Sequence, residues 1–175
     1  MVGVVARMQL LYLISVWLHI LAATIWLGGM AFLVLVVVPW MRRGDRAAGA
    51  AMLRETGTRF STVSFVCFAV IALTGTFNAA YRGVRFSDLL RAEFVHSPFG
   101  SALLLKLGLF LTVLALSAYH DFVIGPRATE ALMRAPASRE AEHLRRTTGL
   151  LGRLNALLAL LLYGVAVVLV RGCPL

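Results

Sequence analysis

Residues Leu10 to Trp40 read LLYLISVWLHILAATIWLGGMAFLVLVVVPW. This run of 31 residues carries one ionisable side chain, His19. A bilayer core is about 30 Å thick, and a helix crosses it with roughly 20 apolar residues. The stretch therefore reads as a membrane span with turns to spare. An imidazole inside a span is uncommon and marks a functional position by default. The sequence thus poses one question, which is what lies opposite His19.

Composition agrees with a membrane protein. The 175 residues are 60% hydrophobic and 14% charged, which excludes an ordinary soluble domain and a disordered chain. The net charge of +9 could suggest nucleic acid. The arginines, however, flank apolar spans, where they fix orientation and meet anionic lipid head groups. The expected partner is the bilayer, not nucleic acid. Cys67 and Cys173 form neither a disulfide framework nor a C-x-x-C motif. The first residues, MVGVVARMQ, do not read as a signal peptide, because the apolar run behind them is too long.

Three more spans follow, at Phe60–Tyr81, Ala102–Ile124 and Leu154–Val170. The first is expected to end at Pro39, and the third before Gly125 and Pro126. Lipid offers backbone groups no water, so each span is expected to be a helix. The fold class is an all-α integral membrane protein, a four-transmembrane-helix up-down bundle forming one domain over residues 1–175. Loops one and three hold most of the arginines, among them Arg42, Arg43, Arg54, Arg59, Arg127, Arg134, Arg139, Arg145, Arg146 and Arg153. The positive-inside rule puts these loops in the cytoplasm and both termini in the periplasm of a bacterial inner membrane.

The connections carry structure of their own. After Pro136, Ser138 suits a helix cap with Glu140 and Glu142 in the first turn. The segment SREAEHLRRTTGLLGRLN then fits one helix running into span four, with His143 as a solvated surface residue. Loop two, RGVRFSDLLRAEFVHSPFG, mixes apolar and charged residues as a short interfacial helix would. Spans one and three both meet a proline before an arginine-containing loop (VVVPWMRR and VIGPRA), a faint internal echo.

Residues three and four apart share a helix face. On span one this aligns Tyr12, Ser15, His19, Ala22, Ala23, Trp26 and Met30. On span two it aligns Ser64, Cys67, Ile71, Thr74 and Asn78, and on span three Lys106, Val113, Ser117 and His120. The helical rise places His19 roughly 9 Å outside its span's midplane and His120 roughly 10 Å inside. Two polar layers follow. The outer one gathers His19, Thr74, Asn78 and Lys106, with His96 dipping in from loop two. The inner one gathers His120, Asp121, Arg127, Arg153 and Asn155. About 20 Å along the membrane normal separates His19 from His120, so the two do not clamp one haem. A haem b held by His19 and His96 stays open as an alternative. Imidazole suits copper and zinc, and thioether suits Cu(I), so His19, His96 and Met30 are the candidate metal ligands. Trp26, Thr74, Asn78 and Lys106 are candidates for orienting them. Asp121 is expected to pair with Arg127 or Arg153 at the membrane face.

The segments WLHILAATIWLGGMAFLVLVVVP, RFSTVSFVCFAVIALTGTFNA and SPFGSALLLKLGLFLTVLALSAYHDFVIGPR together resemble the copper resistance protein D (CopD-like) family of bacterial inner-membrane proteins. The helix-one His–Trp–Gly-Gly pattern and the F-G-x-x-L-L-x-K start of span three are the more specific parts. The likeness covers most of residues 10–127, and span four matches in character. It implies copper handling at the cytoplasmic membrane, beside a periplasmic copper-binding partner. By shape the chain is also similar to four-helix haem proteins of the HemJ type, whose transmembrane histidine is matched by His19. The expected function is copper binding or movement through an outer-leaflet site centred on His19, and no catalytic residue is assigned. The alternatives are a haem-binding redox protein or oxidase using His19, and a cofactor-free assembly subunit.

Overall fold

A computed structural model describes residues 2–41, 46–135 and 137–171. Arg42, Arg43, Pro136 and Cys173 lie outside the described residues. Among the described residues, four helices are long and apolar enough to cross a membrane. The first, α1 (Val2–Phe32), passes through a π turn at Leu33–Val37 into Val38–Met41. The second is α2 (Arg46–Tyr81). The third, α3 (Pro98–Tyr119), passes through a π turn at His120–Ile124 into α4 (Gly125–Arg134). The last is α5 (Arg139–Arg171), unbroken as the sequence suggested. The Ser138 hydroxyl caps it by accepting from the Ala141 N–H at 3.1 Å.

Helix continues through both prolines, two residues past Pro39 to Met41 and on to Arg134 past Pro126, which corrects the expected stop before Gly125. A proline inside a helix has no N–H to donate and crowds the carbonyl four residues back. The chain relieves this by widening one turn. Just before Pro39 the Val38 N–H reaches back five residues to the Leu33 carbonyl. Just before Pro126 the Gly125 N–H reaches back five residues to the His120 carbonyl. The two π turns stand at the same offset from their prolines, so the internal echo is a repeated structural device. It carries helix beyond each apolar run, to Met41 and to Arg134.

Packing follows the chain in pairs. Helix α1 lies mainly against α2, and α3 mainly against α5, with α4 folded onto α5 and α2. The core joins Ala22, Trp26 and Met30 of α1 to Cys67 and Phe68 of α2, Val113 of α3 and Ala159 of α5. Phe68 is its hub, 5.0 Å from the Trp26 ring and 6.0 Å from that of Phe110. Helices in lipid gain no hydrophobic drive from meeting each other, so close contact rests on small residues and polar bonds. Ala159 is fully buried, and the Asn155 Nδ2 donates to Ser117 Oγ at 2.9 Å between α3 and α5. The Asn155 Oδ1 is buried without a partner. Ser117→Ala would leave both ends of that amide unpaired. It is expected to cost about 1–2 kcal/mol, more than Asn155→Leu, which removes the buried polar group itself. Thermal melting of the two variants in one detergent checks the order.

Loop two forms a 3-10 turn at Phe86–Leu90 and one α turn at Ala92–Val95. The Asp88 carboxylate holds it by accepting from the Arg85 N–H at 2.8 Å. Phe86 and Leu90 project outward, 80% and 89% exposed, between Arg85 and Arg91, as an interfacial segment requires. The opposite end is rich in exposed arginines. Arg59 pairs with Glu55 at 2.8 Å, and Arg145 and Arg146 share Glu142, but such solvated pairs stabilise little.

Candidate functional site

His19 lies on the face of α1 that meets α2, and its ring is half-buried. Every residue of the expected α1 stripe, Tyr12 through Met30, is at least partly buried. The His19 Nδ1 stands 2.9 Å from Thr74 Oγ1. The Thr74 hydroxyl also bonds the Val70 carbonyl of its own helix at 2.5 Å. One turn along α1, the Ser15 hydroxyl donates to the Thr74 carbonyl at 3.4 Å. Gly75 makes the close approach possible. A Cβ there would stand 3.3 Å from the imidazole Cε1 and 3.7 Å from Nδ1. The Thr74-Gly75 pair thus supplies a polar partner and a gap at adjacent positions.

The site continues toward the Tyr81 end of α2. Asn78, one turn beyond Thr74, is half-buried, and its Oδ1 has no partner. Lys106 of α3 is half-buried, within electrostatic reach of both His19 and Arg82. Arg82 Nε donates to the Tyr12 hydroxyl at 3.3 Å, and the Tyr12 and Tyr81 rings stack with centroids 4.3 Å apart. Arg82 and Tyr81 escaped the sequence reading. The available signal was Tyr12 on the His19 face at the span edge, where amphipathic aromatics collect.

Not all candidates converge. Met30 sits eleven residues beyond His19 on one continuous helix, about 16 Å away by the helical rise. It packs in the core instead. Trp26 belongs to the same core, against Phe68. His96 is exposed, and its Nδ1 is engaged with the Ala92 carbonyl at 2.7 Å. Among the described residues, no three His, Cys, Asp or Glu side chains cluster closely enough to hold a metal.

The other polar layer is also rearranged. Asp121 does not pair with Arg127 or Arg153, both of which are exposed. It meets its neighbour His120, with Nδ1 to Oδ1 at 2.8 Å. Both residues stand in the π turn at His120–Ile124. Asn155 bonds Ser117 rather than joining the charged residues.

A family description of copper resistance protein D matches residues 54–169. The match includes α5, which the sequence reading likened to the family only in character. It begins beyond α1, so His19 and the Gly28-Gly29 pair lie outside it. Copper transport protein CutJ of Bacillus subtilis (strain 168) is 36% identical over 104 residues, covering 59% of this chain and 18% of that protein. The aligned part is thus a small share of CutJ. An uncharacterized protein of Aquifex aeolicus (strain VF5) is 31% identical over 147 residues, covering 83% of this chain and 86% of that protein. No solved structure matches the chain.

Proposed function

This chain belongs to the copper resistance protein D family, and we propose that it passes copper at the bacterial cytoplasmic membrane, with His19 as the residue that takes the ion. The observation that carries the reading is the His19–Thr74 pair at the α1–α2 interface. It holds one imidazole inside an apolar span with its ring edge anchored. Imidazole nitrogen is a good copper ligand, and the copper transport for which CutJ is named supports copper as the cargo. The arginine-rich end faces the cytoplasm in this reading, which puts His19 in the periplasmic half.

The chemistry favours passage over storage. One imidazole and an unpartnered Asn78 oxygen make a sparse donor set. Further ligands then come from a periplasmic copper-binding partner that delivers or receives the ion. Lys106 adds to the transience, because an ammonium within reach of His19 repels a bound cation.

The same cations support a second reading. Lys106 near the imidazole, with Arg82 near Lys106, also suits a haem b, whose carboxylates would meet the two cations while His19 would hold its iron. His120 stands in the distant π turn, about 20 Å from His19 along the membrane normal by the helical rise, and is too far away to be a second ligand. The Lys106→Met variant separates the readings. Under the copper reading, removing the repulsion strengthens copper affinity by about threefold to tenfold, the scale of a partly screened unit charge. Under the haem reading the variant loses pigment. Copper titration against a competing chelator, with an optical spectrum of the same samples, reads both. A Soret band in purified wild type that weakens in Lys106→Met would overturn the copper reading. Neither copper nor haem in wild type would leave a cofactor-free assembly role.

A further inference from the structure

We propose that Thr74 is a positioning residue that fixes the tautomer of His19, so that Nε2 is the nitrogen offered to a ligand. The inference deepens the reading of His19 as the copper-taking residue, and its consequence for copper rests on that reading. Its geometry does not.

The hydroxyl of Thr74 has one proton and two lone pairs. Its oxygen lies 2.5 Å from the Val70 carbonyl and 3.4 Å from the Ile71 carbonyl. Carbonyl oxygens only accept, so the single hydroxyl proton belongs to the backbone of α2. Thr58, Thr76 and Thr112 direct theirs in the same way, to the carbonyl four residues back. What remains on the Thr74 oxygen is a lone pair, 2.9 Å from His19 Nδ1. That distance is a hydrogen bond only if Nδ1 carries the proton. An imidazole without charge has one N–H, so Nε2 is left with its lone pair bare.

Gly75 lets the Nδ1–Cε1 edge of the ring come close, since a Cβ in its place would stand 3.3 Å from Cε1. Histidines that bind metals are commonly held through the other ring nitrogen, which sets both tautomer and orientation. In this chain a threonine back-bonded to its own helix does that work without adding a charge to the span. The sequence hides it, because Thr74 and His19 are 55 residues apart and threonine has no metal-binding signature.

The test needs no metal. Full-length protein with 15N-labelled histidine, in detergent micelles, is examined by long-range nitrogen–proton correlation spectroscopy. His19 is assigned by its disappearance in His19→Gln. The expected wild-type spectrum shows His19 with its proton on Nδ1. Thr74→Val keeps the branched shape and removes the hydroxyl. It is expected to shift the tautomer ratio toward Nε2–H by about threefold, what one hydrogen bond between membrane helices supports. Thr74→Ser restores the wild-type ratio. A wild-type His19 with its proton on Nε2 overturns the proposal whether or not any variant folds, and so does a ratio unchanged in Thr74→Val. Adding Cu(I) to the same wild-type sample addresses the underlying reading separately. If the proton is on Nδ1 and Cu(I) leaves the Nε2 signal unmoved, the tautomer assignment stands and the copper reading falls.

Discussion

Gly100→Ala is expected to destabilise the protein by about 3 kcal/mol, more than any other exchange of a helical glycine for alanine in α3. Gly100 is buried in the first turn of α3, where the chain doubles back against loop two. A Cβ there would collide with the Phe94 backbone carbonyl and would stand 2.9 Å from Ser97 Oγ. Backbone cannot move aside as a flexible side chain can, so the added methyl must push α3 away from the Ala92–Val95 turn. Overpacking of this kind costs typically 1–3 kcal/mol. The displacement also breaks the cap, in which the Gly100 N–H donates to Ser97 Oγ at 3.0 Å, and losing a cap costs about 1 kcal/mol. Gly108 is the control on the same helix. A methyl group added there would meet nothing within 4 Å, and Gly108→Ala is expected to leave stability unchanged or raise it slightly. Thermal melting of the two variants in one detergent checks this, and equal shifts would contradict it.

The same glycine shows what the sequence made legible. The S-P-F-G start of the third span reads as a recognisable motif, and its parts have separate physical jobs. Ser97 caps, Pro98 fits the first turn because its missing N–H is not needed there, and Gly100 yields space to a carbonyl. The motif was visible in one dimension, but the Phe94 contact that explains it was not. Span number and buried faces were legible because lipid leaves hydropathy and 3.6-residue periodicity as the dominant signals. The α1 stripe from Tyr12 to Met30 and the α2 stripe through Ser64, Cys67 and Thr74 turned inward as expected. Helix ends were less legible. Pro39 and Pro126 are strong local stop signals, and the π turns that override them are a backbone response with no composition of their own. The ion pairs misled as well. Asp121 matches the arginines in depth, yet its carboxylate meets the adjacent His120. His19 meets Thr74, whereas Met30 shares its helix face but packs in the core.

Copper binding by the purified protein is expected to weaken about a hundredfold or more in His19→Ala. Partners that merely orient a ligand typically contribute 10–100-fold to metal affinity. The ligand itself must contribute at least as much when few other donors are near, and among the described residues no cluster of His, Cys, Asp or Glu can replace it. The variant is not expected to fail by unfolding. The interaction lost is one hydrogen bond to Thr74 at 2.9 Å, and such bonds between helices in membranes contribute about 0.6 kcal/mol on average. His19→Gln sharpens the result, since its amide can still donate toward Thr74 while offering no imidazole nitrogen. Loss of copper in both variants, with melting temperatures near wild type, assigns the effect to the ligand atom. Met30→Leu supplies the opposite control. Met30 packs in the core about 16 Å along the helix from His19, so its sulfur is not expected to matter and affinity should stay within about twofold of wild type. Wild-type affinity in His19→Ala and His19→Gln, or a large loss in Met30→Leu with the fold intact, would move the copper site away from the Thr74 end of the α1–α2 interface.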